Sequence, residues 1–134
     1  MTRLAAILTL LALAGCGTAP AAKSQAVDLG AEVTLAPGAT ASVNTAEIQV
    51  RFVLVTEDSR CPGDVTCIWA GEVKVEVEIR EAAKNVSKVE IPEGGNSVVG
   101  GYRVTLVRVE PATRSTARIA PQDYRATLKI DKLN

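Results

Sequence analysis

Between Glu72 and Arg80 the chain alternates without a break. Val73, Val75, Val77 and Ile79 fall at one parity, and Lys74, Glu76, Glu78 and Arg80 at the other. Side chains on a strand point to opposite faces in turn, whereas those on a helix return every 3.6 residues. Only a strand therefore sorts this stretch into an apolar face for a core and a charged face for water. The same period recurs in Ala46–Thr56, where Ile48, Val50, Phe52 and Leu54 share one face and Val53 and Val55 thicken the other, as in a central strand. It recurs again near the end, where Tyr124, Ala126, Leu128 and Ile130 alternate with Arg125, Thr127, Lys129 and Asp131. Tyr102, Val104 and Leu106 open another strand, and Val107 and Val109 then slip in phase, which predicts a bulge. Weaker runs lie at Glu32–Ala36, Thr40–Val43 and Val86–Ile91.

Turn residues punctuate these runs: Pro37-Gly38, Pro92-Glu93-Gly94-Gly95, Gly100-Gly101 and Pro111. Gly94–Gly101 reads as a mobile loop. No window after Gly15 carries a helical stripe of useful length. About seven short strands between Asp28 and Asn134 predict an all-β domain, an antiparallel β-sandwich of immunoglobulin-like type, with a small β-barrel as the alternative. Only Phe52, Trp69, Tyr102 and Tyr124 are aromatic, so the core must be aliphatic, and a small aliphatic core makes a covalent staple valuable.

The first residues follow a different logic. Arg3 precedes an apolar run from Leu4 to Gly15, too short for the roughly 20 residues of a spanning helix and built like a secretory signal. Its end, Leu13-Ala14-Gly15-Cys16, resembles a bacterial lipobox. That resemblance implies a signal peptide over residues 1–15, diacylglycerol on the Cys16 thiol, and a mature chain acylated at its new N-terminus. Two or more acyl chains anchor firmly where one does not. Gly17, rather than Asp, follows the cysteine, which leans towards the periplasmic face of an outer membrane if the cell has one. Residues 17–27 are small and polar and read as a flexible tether, giving a division into 1–15 leader, 16–27 anchor and tether, and 28–134 domain.

With Cys16 given to lipid, Cys61 and Cys67 remain, and in an oxidising compartment they are expected to pair. Pro62-Gly63 suits the central positions of a type II turn that would bring the thiols together. The segment Glu57–Ala70 is long for a bare hairpin loop, and long loops in small domains tend to be functional or stapled. Its sequence, Asp58-Ser59-Arg60-Cys61-Pro62, four residues, then Cys67-Ile68-Trp69-Ala70-Gly71-Glu72, resembles the signature of a family of small uncharacterised bacterial secreted proteins and lipoproteins. Leu35-Ala36-Pro37-Gly38 and the strand after Gly71 extend the likeness over most of the mature chain. The resemblance implies export and no particular chemistry.

Four residues of the loop are candidates for binding: Arg60, Trp69, Asp58 and Asp64. For Trp69 the alternative to a binding anchor is packing against the disulfide, and the sequence favours packing. For Arg60 the alternative to recognition is an ion pair with Glu57, Asp58 or Asp64, again favoured. Glu57, Asp58, Asp64 and Glu72 match no ordered Ca²⁺ spacing, and no metal or other cofactor is expected. The chain has no His, which removes Ser-His and Cys-His pairs and imidazole acid–base work, and no catalytic residue is expected. Fifteen basic and fifteen acidic side chains, without a basic block, argue against nucleic acid or an anionic lipid surface as the main partner. The expectation is a lipid-anchored envelope module, held to the membrane through Cys16, that presents residues 57–71 to an envelope protein or glycan. Two alternatives are a hydrolase inhibitor probing with Arg60 and a structural accessory lipoprotein.

Overall fold

The alternating runs become strands in the computed structural model, which describes residues 23–82 and 86–134. The leader, Cys16 and the tether as far as Ala22 lie outside the described residues. In chain order the strands are β1 (Ser24–Val27), β2 (Glu32–Leu35), β3 (Thr40–Val43), β4 (Ile48–Asp58), β5 (Val73–Glu81), β6 (Val86–Pro92), β7 (Asn96–Val99), β8 (Tyr102–Glu110) and β9 (Arg125–Lys132), with a single 3₁₀ turn at Pro121–Asp123. They form a five-stranded sheet, β1-β3-β4-β5-β6, and a four-stranded sheet, β2-β9-β8-β7. Every neighbouring pair is antiparallel except β1 and β3, which run parallel.

The two sheets bury one aliphatic core. Val50, Phe52, Val73, Val75, Val77 and Ile79 enter from one sheet and Leu35, Val104, Leu106, Ala126, Leu128 and Ile130 from the other. Each fully buried Val, Leu or Ile contributes about 1.5–3 kcal/mol relative to exposure, so the core is sufficient without aromatic bulk. On the far side of β9, Thr127 is buried and shares a 2.8 Å hydroxyl hydrogen bond with Thr34 of β2. The strand β5 matches its expectation residue by residue, buried at Val73, Val75, Val77 and Ile79 and wetter between them.

Several features depart from the sequence reading. Strands number nine among the described residues rather than about seven. The end of the expected tether is strand β1: its side chains are mostly exposed, and what holds it is backbone pairing with β3, from Thr40 N–H donating to the Lys23 carbonyl at 3.0 Å to Asn44 N–H donating to Val27 at 3.0 Å. The expected mobile loop contains β7, which turns into β8 through Gly100-Gly101, both at positive φ (58° and 84°), the two-residue hairpin geometry only glycine accepts readily. Leu54 was expected on the core face of its strand. Register shifts between Phe52 and Leu54 and again between Val55 and Glu57 rotate it outward, opposite Glu76, and bring Val55 opposite Val75 instead. The phase slip after Leu106 is a register shift between Leu106 and Arg108, as expected.

Candidate functional site

Strands β4 and β5 rise from opposite sides of one hairpin, and the segment between them, Ser59–Glu72, stands at the end of the sandwich. Its base is zipped. Ser59 N–H donates to the Glu72 carbonyl at 2.8 Å, the Ser59 hydroxyl donates to the same carbonyl at 3.1 Å, and Cys61 N–H donates to the Ala70 carbonyl at 3.4 Å. This close approach needs Gly71, which sits at φ +66° and whose missing Cβ would run into the Ser59 backbone. Cys61 and Cys67 form the expected disulfide, with Cα atoms 5.8 Å apart, inside the usual range. The turn between them differs from the expectation. Gly63 is not at positive φ, and the hydrogen bond runs from Val65 N–H to the Pro62 carbonyl at 3.2 Å, so Pro62 opens the turn and Gly63-Asp64 occupy its centre.

The loop rests on the neighbouring β8–β9 connection, Pro111–Tyr124. Gly63 N–H donates to the Thr113 carbonyl at 3.0 Å, and the Thr113 hydroxyl reaches the carbonyls of Arg60 and Cys61 at 3.4 and 3.3 Å. The carboxylate of Asp64 accepts from Ser115 twice, from its N–H at 2.9 Å and its hydroxyl at 2.6 Å, and these bonds hold it below the usual carboxylate range.

Arg60 is the junction of the two sheets. Its Nε and Nη2 donate to the two oxygens of Asp58 at 2.8 and 2.7 Å, Nη1 donates to the Val109 carbonyl at 2.8 Å, and Nη2 to the Pro111 carbonyl at 3.1 Å, next to the cis Glu110–Pro111 bond. The pair is largely enclosed, with side-chain exposures of 16% for Arg60 and 9% for Asp58. The Tyr124 hydroxyl donates to Asp58 at 2.9 Å. Burial pushes the Asp58 carboxyl up, but the bonds from Arg60 and Tyr124 outweigh it and leave the group below its ordinary value. Burial first, and then the neighbouring carboxylate, push the Tyr124 phenol up to about 12. Hydrogen bonding to Asp58 raises the Arg60 guanidinium further above its ordinary value, against the opposing effect of burial. Adjacent strand ends add one more tie: Glu93 accepts from Val109 N–H at 2.6 Å.

The four candidate binding residues thus separate into two sets. Asp58 and Arg60 are joined to each other, and Asp64 to Ser115; all three fix the shape of the loop. The crowd of carboxylates expected in the loop is distributed, since Glu57 and Glu72 both pair with Lys74 at 3.0 and 2.8 Å. Trp69 behaves in the opposite way to the favoured expectation. It is 62% exposed and so is not packed as core against the disulfide; its neighbour Ile68 is 97% exposed, and Val65 is exposed on the same loop. The reason is the zip at the loop base, which closes on backbone groups and the Ser59 hydroxyl and leaves the side chains at 65, 68 and 69 outside. Beside the loop, Arg60, Pro62, Arg114, Arg118 and Tyr124 line an open depression of about 350 Å³. Sequence reading missed Tyr124 and Thr113 as partners of this loop; Tyr124 was assigned to the core parity of its strand, and nothing local to Thr113 signals a contact some 50 residues away. Comparison of the chain with protein-family models, curated proteins and solved structures gives no match.

Proposed function

We propose that this chain is a lipid-anchored, non-catalytic binding module of the bacterial cell envelope, with residues 57–71 as its contact surface. The observation that carries the reading is the pairing of rigidity with exposure. Ile68 and Trp69 are open to water on a loop fixed by a disulfide, a backbone zip and the Arg60–Asp58 pair. Exposed apolar side chains normally scatter singly, and binding gains most from aromatic groups that lose little freedom on contact. An anchor at Cys16, on the periplasmic face of an outer membrane, supplies location, and the loop supplies contact with an envelope protein, a glycan or the membrane itself. The hydrolase-inhibitor alternative draws less support, because the guanidinium it relied on is committed to Asp58, Val109 and Pro111.

The test is a photoreactive amino acid at Ile68 in the full-length lipoprotein, irradiated in the native envelope. Adducts should form there and not from the same probe at Thr45, on the hairpin tip at the other end of the sandwich. Equal labelling at both positions, or none, would remove the loop as a contact surface. Mass spectrometry of the mature N-terminus checks the anchor, and an unmodified Cys16 rules it out.

A further inference from the structure

We infer that the surface met by the loop tip is the bilayer that holds the anchor: Val65, Ile68 and Trp69 seat in the boundary between headgroups and acyl chains. This rests on the reading of the loop as a contact surface and names its occupant. The argument begins with chain direction. Strand β1 runs parallel to β3, with Ser24 opposite Thr40 and Val27 opposite Val43. Strand β3 runs antiparallel to β4, with Thr40 opposite Arg51 and Ser42 opposite Gln49. The N-terminal end of β1 therefore points the same way as the C-terminal end of β4, which leads into the stapled loop. Lys23, at the level of Thr40, leaves the domain towards the loop end, whereas the C-terminus lies at the opposite end beside Gly101.

Length then restricts the geometry. Between the Arg51–Glu78 and Asp58–Val73 pairs the hairpin rises about 17 Å, five β5 residues at roughly 3.3 Å each because two register shifts absorb the extra β4 residues, and the zipped base of the loop carries the tip further. The seven residues Cys16–Ala22 reach at most about 25 Å when fully extended. A chain this short, leaving towards the loop end, keeps the tip close to the surface in which Cys16 is anchored. The chemistry of the tip fits that place. Trp combines an apolar ring with one N–H donor and favours membrane interfaces, and Ile adds apolar area. Exposed Arg114 and Arg118 on the neighbouring loop can pair with the phosphate of a zwitterionic headgroup, so no anionic lipid is needed. The tip then acts as a second membrane contact beside the lipid and fixes the domain's orientation.

Trp69 is the only tryptophan of the chain, so its fluorescence reports the tip alone. The full lipoprotein, with acylation of Cys16 verified by mass spectrometry, is reconstituted into phosphatidylcholine vesicles containing lipids brominated near the glycerol backbone. Trp69 emission should shift to the blue and be quenched at least twofold. A reporter moved to the far end, by Trp69→Phe combined with Thr45→Trp, should be quenched no more than in water. Inserting about twenty Gly and Ser residues after Thr18 should reduce the quenching of Trp69. Quenching at the tip no greater than at position 45 overturns the proposal, and quenching indifferent to tether length overturns the part given to the tether. If bromolipids fail while the probe at Ile68 labels an envelope protein or glycan, the bilayer is the wrong occupant and the loop remains the contact surface. If both fail, the functional reading fails with it.

Discussion

Arg60→Ala offers the sharpest test of how the loop is held. The substitution deletes two bonds to Asp58 at 2.8 and 2.7 Å, one to Val109 at 2.8 Å and one to Pro111 at 3.1 Å. It leaves the Asp58 carboxylate, 9% exposed, with the Tyr124 hydroxyl at 2.9 Å and the backbone N–H of residue 60 at 3.4 Å. Breaking a buried ion pair costs about 3–5 kcal/mol and an exposed one about 0–1. The residual exposure here, with the surviving Tyr124 bond, sets the expected loss at about 2–3 kcal/mol. For a domain of this size that lowers Tm by roughly 10–15 °C. Urea unfolding at pH 7 followed by far-ultraviolet circular dichroism measures it; tryptophan fluorescence does not serve, because Trp69 is already exposed. Arg60→Lys should not restore the loss, since an ammonium cannot bridge both carboxylate oxygens and two carbonyls together. In a double-mutant cycle with Asp58→Asn the coupling should be about 2 kcal/mol. The pH dependence has a definite sign. Asp58 titrates below its ordinary value of 3.8 in the fold, so its contribution is present at pH above the unfolded value and disappears as pH falls below it through the folded value. Arg60→Ala should flatten that acid limb. A loss below about 0.5 kcal/mol, or additive singles, would refute the junction role.

Replacing both Cys61 and Cys67 by Ser should cost on the order of 2 kcal/mol, from the chain entropy of a seven-residue ring, while the β circular-dichroism signal survives because the core lies in the strands. Trp69→Ala, in contrast, should cost less than about 1 kcal/mol in the same urea assay, given its exposure; a loss of about 3 kcal/mol or more would mean that the ring is buried after all. Tyr124, isolated by Tyr102→Phe and titrated by its absorbance at alkaline pH, should ionise near pH 12, and Asp58→Asn should lower that value only part of the way, because burial, the larger cause, remains. As its folded value is raised, the stability it contributes is full below about pH 10 and is lost as pH climbs through the folded value.

Strand identity was legible where burial imposes period two over many residues, as in β5 and most of β4 and β9. The expected pairing of Cys61 with Cys67, a local one six residues apart, is the disulfide the structure shows. Strands β1 and β7 were not legible, because they are held by backbone hydrogen bonds at sheet edges, which leave little imprint on side-chain pattern. The outward turn of Leu54 followed from register shifts against β5, and register belongs to the pair and not to either strand. The fate of the loop residues shows the same division. An ion pair for Arg60 was readable from its neighbours, since Asp58 lies two residues away. That Arg60 also caps Val109 and Pro111 and that Tyr124 reaches Asp58 were decided only when the two sheets closed and brought residues some 50 to 66 positions apart into contact, and that Trp69 faces water was decided by the zip at the loop base. Composition and spacing settle what a segment does for itself. Which side chains are spent on holding the loop, and which remain free to meet a partner, depends on long-range packing that no local pattern encodes.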